Sequence, residues 1–144
     1  KEISLLDKGL DVKDLPAEWN RKYKDLLGVV PRNDAEGCLQ DVHWSEGQFG
    51  YFPSYLLGHL ISAQFAEAMS SYLQEAGIQG TEPIETCITE NKESLLLSWL
   101  RKKVHPYGRR MNAEALVKEV TGSSLSSVPF LSYLEKKVER IMRA

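Results

Sequence analysis

An all-α fold of about five to six helices is what this sequence predicts, and three observations carry the expectation. Apolar residues recur at three- and four-residue spacing through nearly every periodic segment, no stretch alternates as a half-buried strand would, and Gly or Pro punctuates the ends of the runs. The 144 residues are 42% hydrophobic and 26% charged, which is one domain's worth of chain with enough apolar material for a packed core. Folding at this length buries roughly two-thirds of the surface the open chain exposes, so no covalent staple is needed. Eighteen Lys and Arg against 20 Asp and Glu leave a net charge of −2, which gives no general attraction to nucleic acid or to an anionic membrane. No apolar run approaches the ~20 residues of a membrane helix. Cys38 and Cys87 are far apart and form no metal-type pair, so a reducing cytoplasm is the simpler setting.

The elements follow in order. Asp14-Leu15-Pro16 opens a helix, with Pro16 tolerated in the first turn and Asp14 as cap. That helix turns Trp19, Tyr23, Leu26 and Leu27 inward and stops at Gly28. Residues 29–52 form a long loop, interrupted by Pro31, Gly37, Gly47 and Gly50. A long helix runs from about Pro53 to Ala76, with an inward stripe from Tyr55 and Leu56 through His59 to Met69, Tyr72 and Leu73, and Gly77 ends it. Residues 84–104 give one broken helix or two, with Leu95, Leu96, Trp99, Leu100 and Val104 buried. Asn112 caps a short helix that turns Ala115, Leu116 and Val120 inward and ends at Gly122. Ser126 or Ser127 starts the last helix, where Phe130, Leu131, Leu134, Val138 and Ile141 repeat at three and four.

The 29–52 loop reads differently from packing filler. A loop this long inside a small helical domain is usually functional, and this one is rich in aromatic and amide side chains. Asp41 and His43 stand two apart, on one side of an extended backbone. A carboxylate beside an imidazole fixes the ring tautomer and suits acid/base or anion-stabilising work. The plainer reading has Asp41 capping a turn and His43 packing on Trp44. A complete metal site fails on counting: His43, His59 and His105 show no i, i+4 pair, and His59 falls on an apolar helix face as a core histidine would. The cluster from Arg101 to Arg110 is the one basic run; it reads either as a solvated helix end or as a place where Arg109 or His105 meets an anion. As an RNA-binding patch it is short.

At the loop the sequence resembles the thermostable, Taq-type zinc metallocarboxypeptidases. Their signature Gly-x-x-Gln-Asp-x-His-Trp is matched by Gly37, Gln40, Asp41, His43 and Trp44. Leu15-Pro16-Ala17-Glu18-Trp19-Asn20 is similar to the family's upstream segment, and Gly50 to Gly58 to the one that follows the signature. The likeness extends through Trp99-Leu100, His105 to Arg109 and Thr121-Gly122 to the last helix.

The resemblance implies a metal-dependent enzyme that releases amino acids one at a time from peptide C-termini, all-helical, cytoplasmic and homodimeric. It implies zinc, or cobalt or manganese, held by a His-Glu-x-x-His motif and a later Glu. This sequence has no His-Glu-x-x-His, and it opens at Lys1 without an initiator Met. The expectation is therefore a single C-terminal segment, 1–144, of a larger all-helical metallopeptidase, whose metal-binding part lies N-terminal to residue 1; this chain alone binds no metal and is inactive. By the resemblance, Gln40, Asp41 and His43 are catalytic-wall residues facing the metal, with His43 a donor oriented by Asp41. Tyr51, Tyr55, Trp44 and Arg109 are substrate-binding candidates. The contrasting expectation is a metal-free helical interaction module that kept the fold. Neither reading calls for nucleic acid or membrane.

Overall fold

The computed structural model describes residues 9–143; the opening Lys1–Lys8 stretch, which suggested a longer protein, lies outside them. Among the described residues there are six α-helices, four short 3-10 turns and no strand. The helices are α1 (Leu15–Leu27), α2 (Phe52–Glu75), α3 (Pro83–Thr89), α4 (Glu93–Lys103), α5 (Ala113–Thr121) and α6 (Val128–Arg143). The chain divides into two compact units between Tyr55 and Leu56.

In the first unit the core is small: Leu15, Trp19 and Cys38 are buried, with Tyr23 and Trp44 packed against them. Trp19 and Tyr23, one helical turn apart, stack at 5.2 Å between ring centroids. Two expectations for α1 fail. Asp14 makes no capping bond, because it already has helical backbone angles inside the 3-10 turn Val12–Asp14; Asp11 caps that turn instead, accepting from the Lys13 N–H. Leu26 and Leu27 are 80% and 64% exposed, since the last turn of α1 runs past the three-residue core it packs on.

The second unit is built on Met69, Leu73, Ile78, Cys87 and Trp99, ringed by half-buried residues that include Phe65, Leu95, Leu96, Leu100 and Val104. The face expected for α4 is the one that packs. Burying each such aliphatic or aromatic side chain contributes about 1.5–3 kcal/mol. Two helix ends close onto this core in the same way. Past α2 the N–H of Gly77 bonds Gln74 O and that of Ile78 bonds Leu73 O, both at 3.0 Å, while Ile78 folds back beside Leu73. Gly77 holds the left-handed φ of +89° that this reversal requires. Past α3, Asn91 takes that role at φ 55°, with the Lys92 N–H on Cys87 O at 2.7 Å. Asn112 caps α5 as expected, its side chain accepting from the Ala115 N–H at 2.8 Å.

Burial corrects the sequence reading at particular positions. In α2, Tyr55, Leu56 and His59 are exposed, and His59 stacks on Phe130 at 6.0 Å instead of entering a core. Gln64 is buried at 3% exposure. In α5, Leu116 and Val120 are half-buried as expected, but Ala115 is exposed and the fully buried position is Val117. Along α6, Leu131, Val138 and Ile141 are more than half exposed, so its apolar stripe is not covered by the described residues. Phe130 is half-buried, and an Arg140–Glu85 ion pair at 3.7 Å also joins α6 to the unit.

Candidate functional site

The 29–52 segment is an irregular but well-bonded loop containing two 3-10 turns, Cys38–Gln40 and Val42–Glu46. Its first half is knotted by backbone bonds: the N–H groups of Gly37 and Leu39 both reach Asp34 O, at 3.1 and 3.0 Å, and that of Gln40 reaches Gly37 O at 3.0 Å. Gly37 is buried, and a Cβ there would lie 3.3 Å from both Asn33 O and Pro31 Cβ, so a side chain would fit only if these neighbours gave way by a few tenths of an ångström. Gln40 is exposed; its Nε2 donates to Ala35 O at 2.5 Å, which braces the knot from the side. Cys38 anchors the loop in the unit's core.

Asp41 is the pivot between the two turns. Its Oδ1 accepts from the His43 backbone N–H at 3.2 Å, capping the second turn, and lies 2.9 Å from His43 Nδ1. The plain turn-capping role and the imidazole-orienting role are thus carried by the same atom. The Asp41 side chain is 4% exposed and that of His43 18%, so the pair is sheltered without being sealed. Trp44 points into the core cluster and stacks on Phe49 at 5.9 Å. Gly47, at φ +71°, then reverses the chain, with Gln48 N–H on His43 O at 2.9 Å. That reversal returns Tyr51 and Phe52 to His43.

His43 accordingly packs among three rings brought back to it by that turn. Tyr51 stacks on it at 5.5 Å and 27°, while Phe52 and Tyr55 lean on it at 4.9 and 5.7 Å. Phe52 and Tyr55 are one turn apart at the start of α2 and touch each other edge to face at 6.0 Å. Tyr55 Oη lies 3.3 Å from His43 Nε2. Asp41, His43 and Tyr55 are therefore in one hydrogen-bonded line, and both tyrosine rings remain about half exposed. Phe52 is legible in sequence through its place in the Gly50 to Gly58 segment that follows the signature and through its i, i+3 relation to Tyr55.

The candidates separate by place. The structure brings Asp41, His43, Tyr51 and Tyr55 together; Gln40 and Trp44 are adjacent in chain but engaged with the loop's own framework. Arg109 belongs to the second unit, where it is exposed. Its neighbour Arg110 folds onto the backbone carbonyls of Pro106 and Tyr107, and Tyr107 donates to Glu119 Oε1 at 3.1 Å. That hydrogen bond to the carboxylate raises the Tyr107 hydroxyl above the usual tyrosine range. Among the described residues no three His, Cys, Asp or Glu side chains gather as a metal would require, so the residues present here do not fit a metal centre. No helix among them is long and apolar enough to cross a membrane.

Comparison with known proteins matches this chain to a family. The profile described as "Carboxypeptidase Taq (M32) metallopeptidase" matches residues 2–138. Thermostable carboxypeptidase 1 of Thermus thermophilus is 41% identical over 136 residues, 94% of this chain and 25% of its own length. Carboxypeptidase 1 of Bacillus subtilis is 37% identical, over 97% of this chain and 26% of its own. Among solved structures, Trypanosoma cruzi metallocarboxypeptidase 1 superposes with a TM-score of 0.81 at 34% identity, covering 94% of this chain and 27% of that one. The M32 carboxypeptidase from Deinococcus radiodurans gives 0.80 at 35% identity, covering 99% and 27%. The chain thus spans about a quarter of the curated relatives it matches, and what it shares with them runs through nearly all of its own length, signature loop included. On the strength of that end-to-end match, the chain belongs to the carboxypeptidase Taq (M32) metallopeptidase family.

Proposed function

We propose that this chain is the C-terminal part of a metal-dependent carboxypeptidase and supplies one wall of its substrate groove. The observation that carries the reading is the Asp41–His43–Tyr55 line, with its outer hydroxyl half exposed beside a second one on Tyr51. Hydrolysis of a C-terminal peptide bond needs donors for the developing oxyanion and for the terminal carboxylate, and fixed donors in a sheltered site serve the first task well. Tyr55 is the proposed donor, His43 the group that sets the direction of its hydroxyl, Asp41 the group that orients His43, and Tyr51 a partner for the substrate carboxylate. Gln40 and Trp44 support this wall through the loop, and Arg109 is a weaker candidate for an anionic group of the substrate. A metal, zinc or alternatively cobalt or manganese, would supply Lewis-acid chemistry to this site, and in this reading its ligands belong to a part of the protein outside this chain. Peptides are the proposed substrates. A cytoplasmic homodimer is the proposed setting, and the two buried free cysteines, Cys38 and Cys87, suit a reducing compartment.

The test is His43→Ala and Tyr55→Phe in the complete protein. Turnover should fall about 10²–10³-fold in Tyr55→Phe for loss of an oxyanion donor, and should fall in His43→Ala for loss of the group that fixes that hydroxyl, with metal content unchanged. Unchanged turnover would remove the residue from the mechanism. A metal-free interaction module is favoured by one observation, the exposed apolar stripe on α6. It predicts a complete protein with neither bound metal nor peptidase activity.

A further inference from the structure

We infer that the Asp41–His43–Tyr55 line is directional, and that the charge on His43 decides where the Tyr55 hydroxyl proton points. Asp41 Oδ1 already accepts the His43 backbone N–H and is an acceptor only, so at 2.9 Å it requires Nδ1 to carry a hydrogen. In the neutral imidazole that leaves Nε2 as a bare acceptor. The group 3.3 Å from Nε2 is the Tyr55 hydroxyl, which must then donate its proton inward to His43. In this state Tyr55 offers an incoming ligand lone pairs and no donor.

Uptake of one proton from solvent at Nε2 reverses the second bond. The new Nε2–H donates to Tyr55 Oη, and the phenol, keeping its own proton, turns its O–H outward. Nothing else in the line changes, because Asp41 goes on accepting from Nδ1. Among the described residues, the titratable groups facing the imidazole are Asp41, Tyr51 and Tyr55. Glu46, the other acid of the same turn, accepts from Gln48 Nε2 at 3.1 Å and faces away into solvent. Phe52 brings a ring without charge.

The consequence for function rests on the carboxypeptidase reading: Tyr55 would be available as a donor to a carboxylate or oxyanion only while His43 is protonated. The hydrogen-bond line itself does not rest on it and is tested in the complete protein. Long-range ¹H–¹⁵N correlation spectra of ¹⁵N-histidine protein, taken above the His43 titration, should show a pyrrole-type Nδ1 and a pyridine-type Nε2. Free histidine prefers the opposite tautomer, so a pyridine-type Nδ1 would overturn the inference. In Tyr55→Phe the tautomer should persist while the Nε2 resonance moves, having lost its donated hydrogen bond; an unmoved Nε2 would also overturn it. Finally, the Tyr55 Cζ resonance should follow the His43 titration with the same midpoint as the phenol changes from donor to acceptor. A Cζ shift that is flat across that range refutes the reversal. None of these outcomes depends on peptidase activity, so failure of the enzyme reading and failure of this one are separable.

Discussion

Replacing Gln64 with Leu removes the most heavily bonded buried side chain in the second unit. Gln64 is 3% exposed, and its Nε2 donates to Ser123 Oγ at 2.9 Å, Ser124 O at 3.0 Å and Thr121 Oγ1 at 3.3 Å. Its Oε1 accepts from the Ser126 N–H at 3.0 Å. One amide thus pins the whole connection between α5 and α6 onto α2. The losses are unequal. Ser123 and Ser124 are exposed and can turn to water, and the Thr121 hydroxyl keeps its bond to Val117 O at 2.8 Å. Ser126 is half-buried and its N–H has no second partner among the described residues; stranding it costs about 1–3 kcal/mol. Leucine returns about 1 kcal/mol through extra apolar burial. The net expectation is roughly 1–2 kcal/mol of destabilisation, or about 2–8 °C in Tm for a chain of this size. Gln64→Glu should cost more, about 2–4 kcal/mol at neutral pH, because it keeps an acceptor for Ser126 but buries a charge and sets an oxygen against the Ser124 carbonyl. Urea unfolding gives the energies, and amide exchange at Ser126 reports the bond itself. A Gln64→Leu variant within about 0.5 kcal/mol of the parent, with Ser126 protection unchanged, would refute the reasoning. So would a Glu variant milder than the Leu one.

Two further outcomes follow from the first unit. Gly37→Ala should destabilise by about 1–3 kcal/mol, the usual cost of overpacking, because a proline ring and a backbone carbonyl must both give way; calorimetry reads the loss, and an unchanged Tm would mean that the loop yields freely there. Glu18 receives both Arg21 Nε and Nη2 at 2.8 Å, and that hydrogen-bonded pair, with help from Lys22, lowers its carboxyl from the ordinary 4.5 to about 2. A depressed folded value means the stabilisation is complete above the unfolded value and is lost as pH falls from there through about 2; a carboxyl-carbon titration should find that midpoint, and Arg21→Ala should return it toward the ordinary range.

How much of this was legible beforehand differs by level. Helix placement was, because it depends on local signals. Pro near the start of α1, Asn112 before α5, and Gly28, Gly77 and Gly122 after α1, α2 and α5 act through their own backbone, within a turn of where they stand. The packed face of α4 was also legible, since period 3.6 writes it directly into the sequence. The signature loop announced itself through length and residue type, and Asp41 with His43 through their spacing of two.

What only the tertiary structure decided is which neighbours those residues meet. Leu26, Leu27 and the α6 stripe have the periodicity of core positions and are exposed, because periodicity states that a face is apolar and not that anything covers it. Gln64 reads as a surface residue, and its burial depends on Ser123, Ser124 and Ser126, about 60 residues away in sequence. The same reason governs the site. His43 packs with Tyr51, Phe52 and Tyr55 because the left-handed turn at Gly47 folds the chain back at that point. Sequence supplied the chemistry of the imidazole and the carboxylate beside it; the direction in which the loop closes supplied the tyrosine at its other nitrogen.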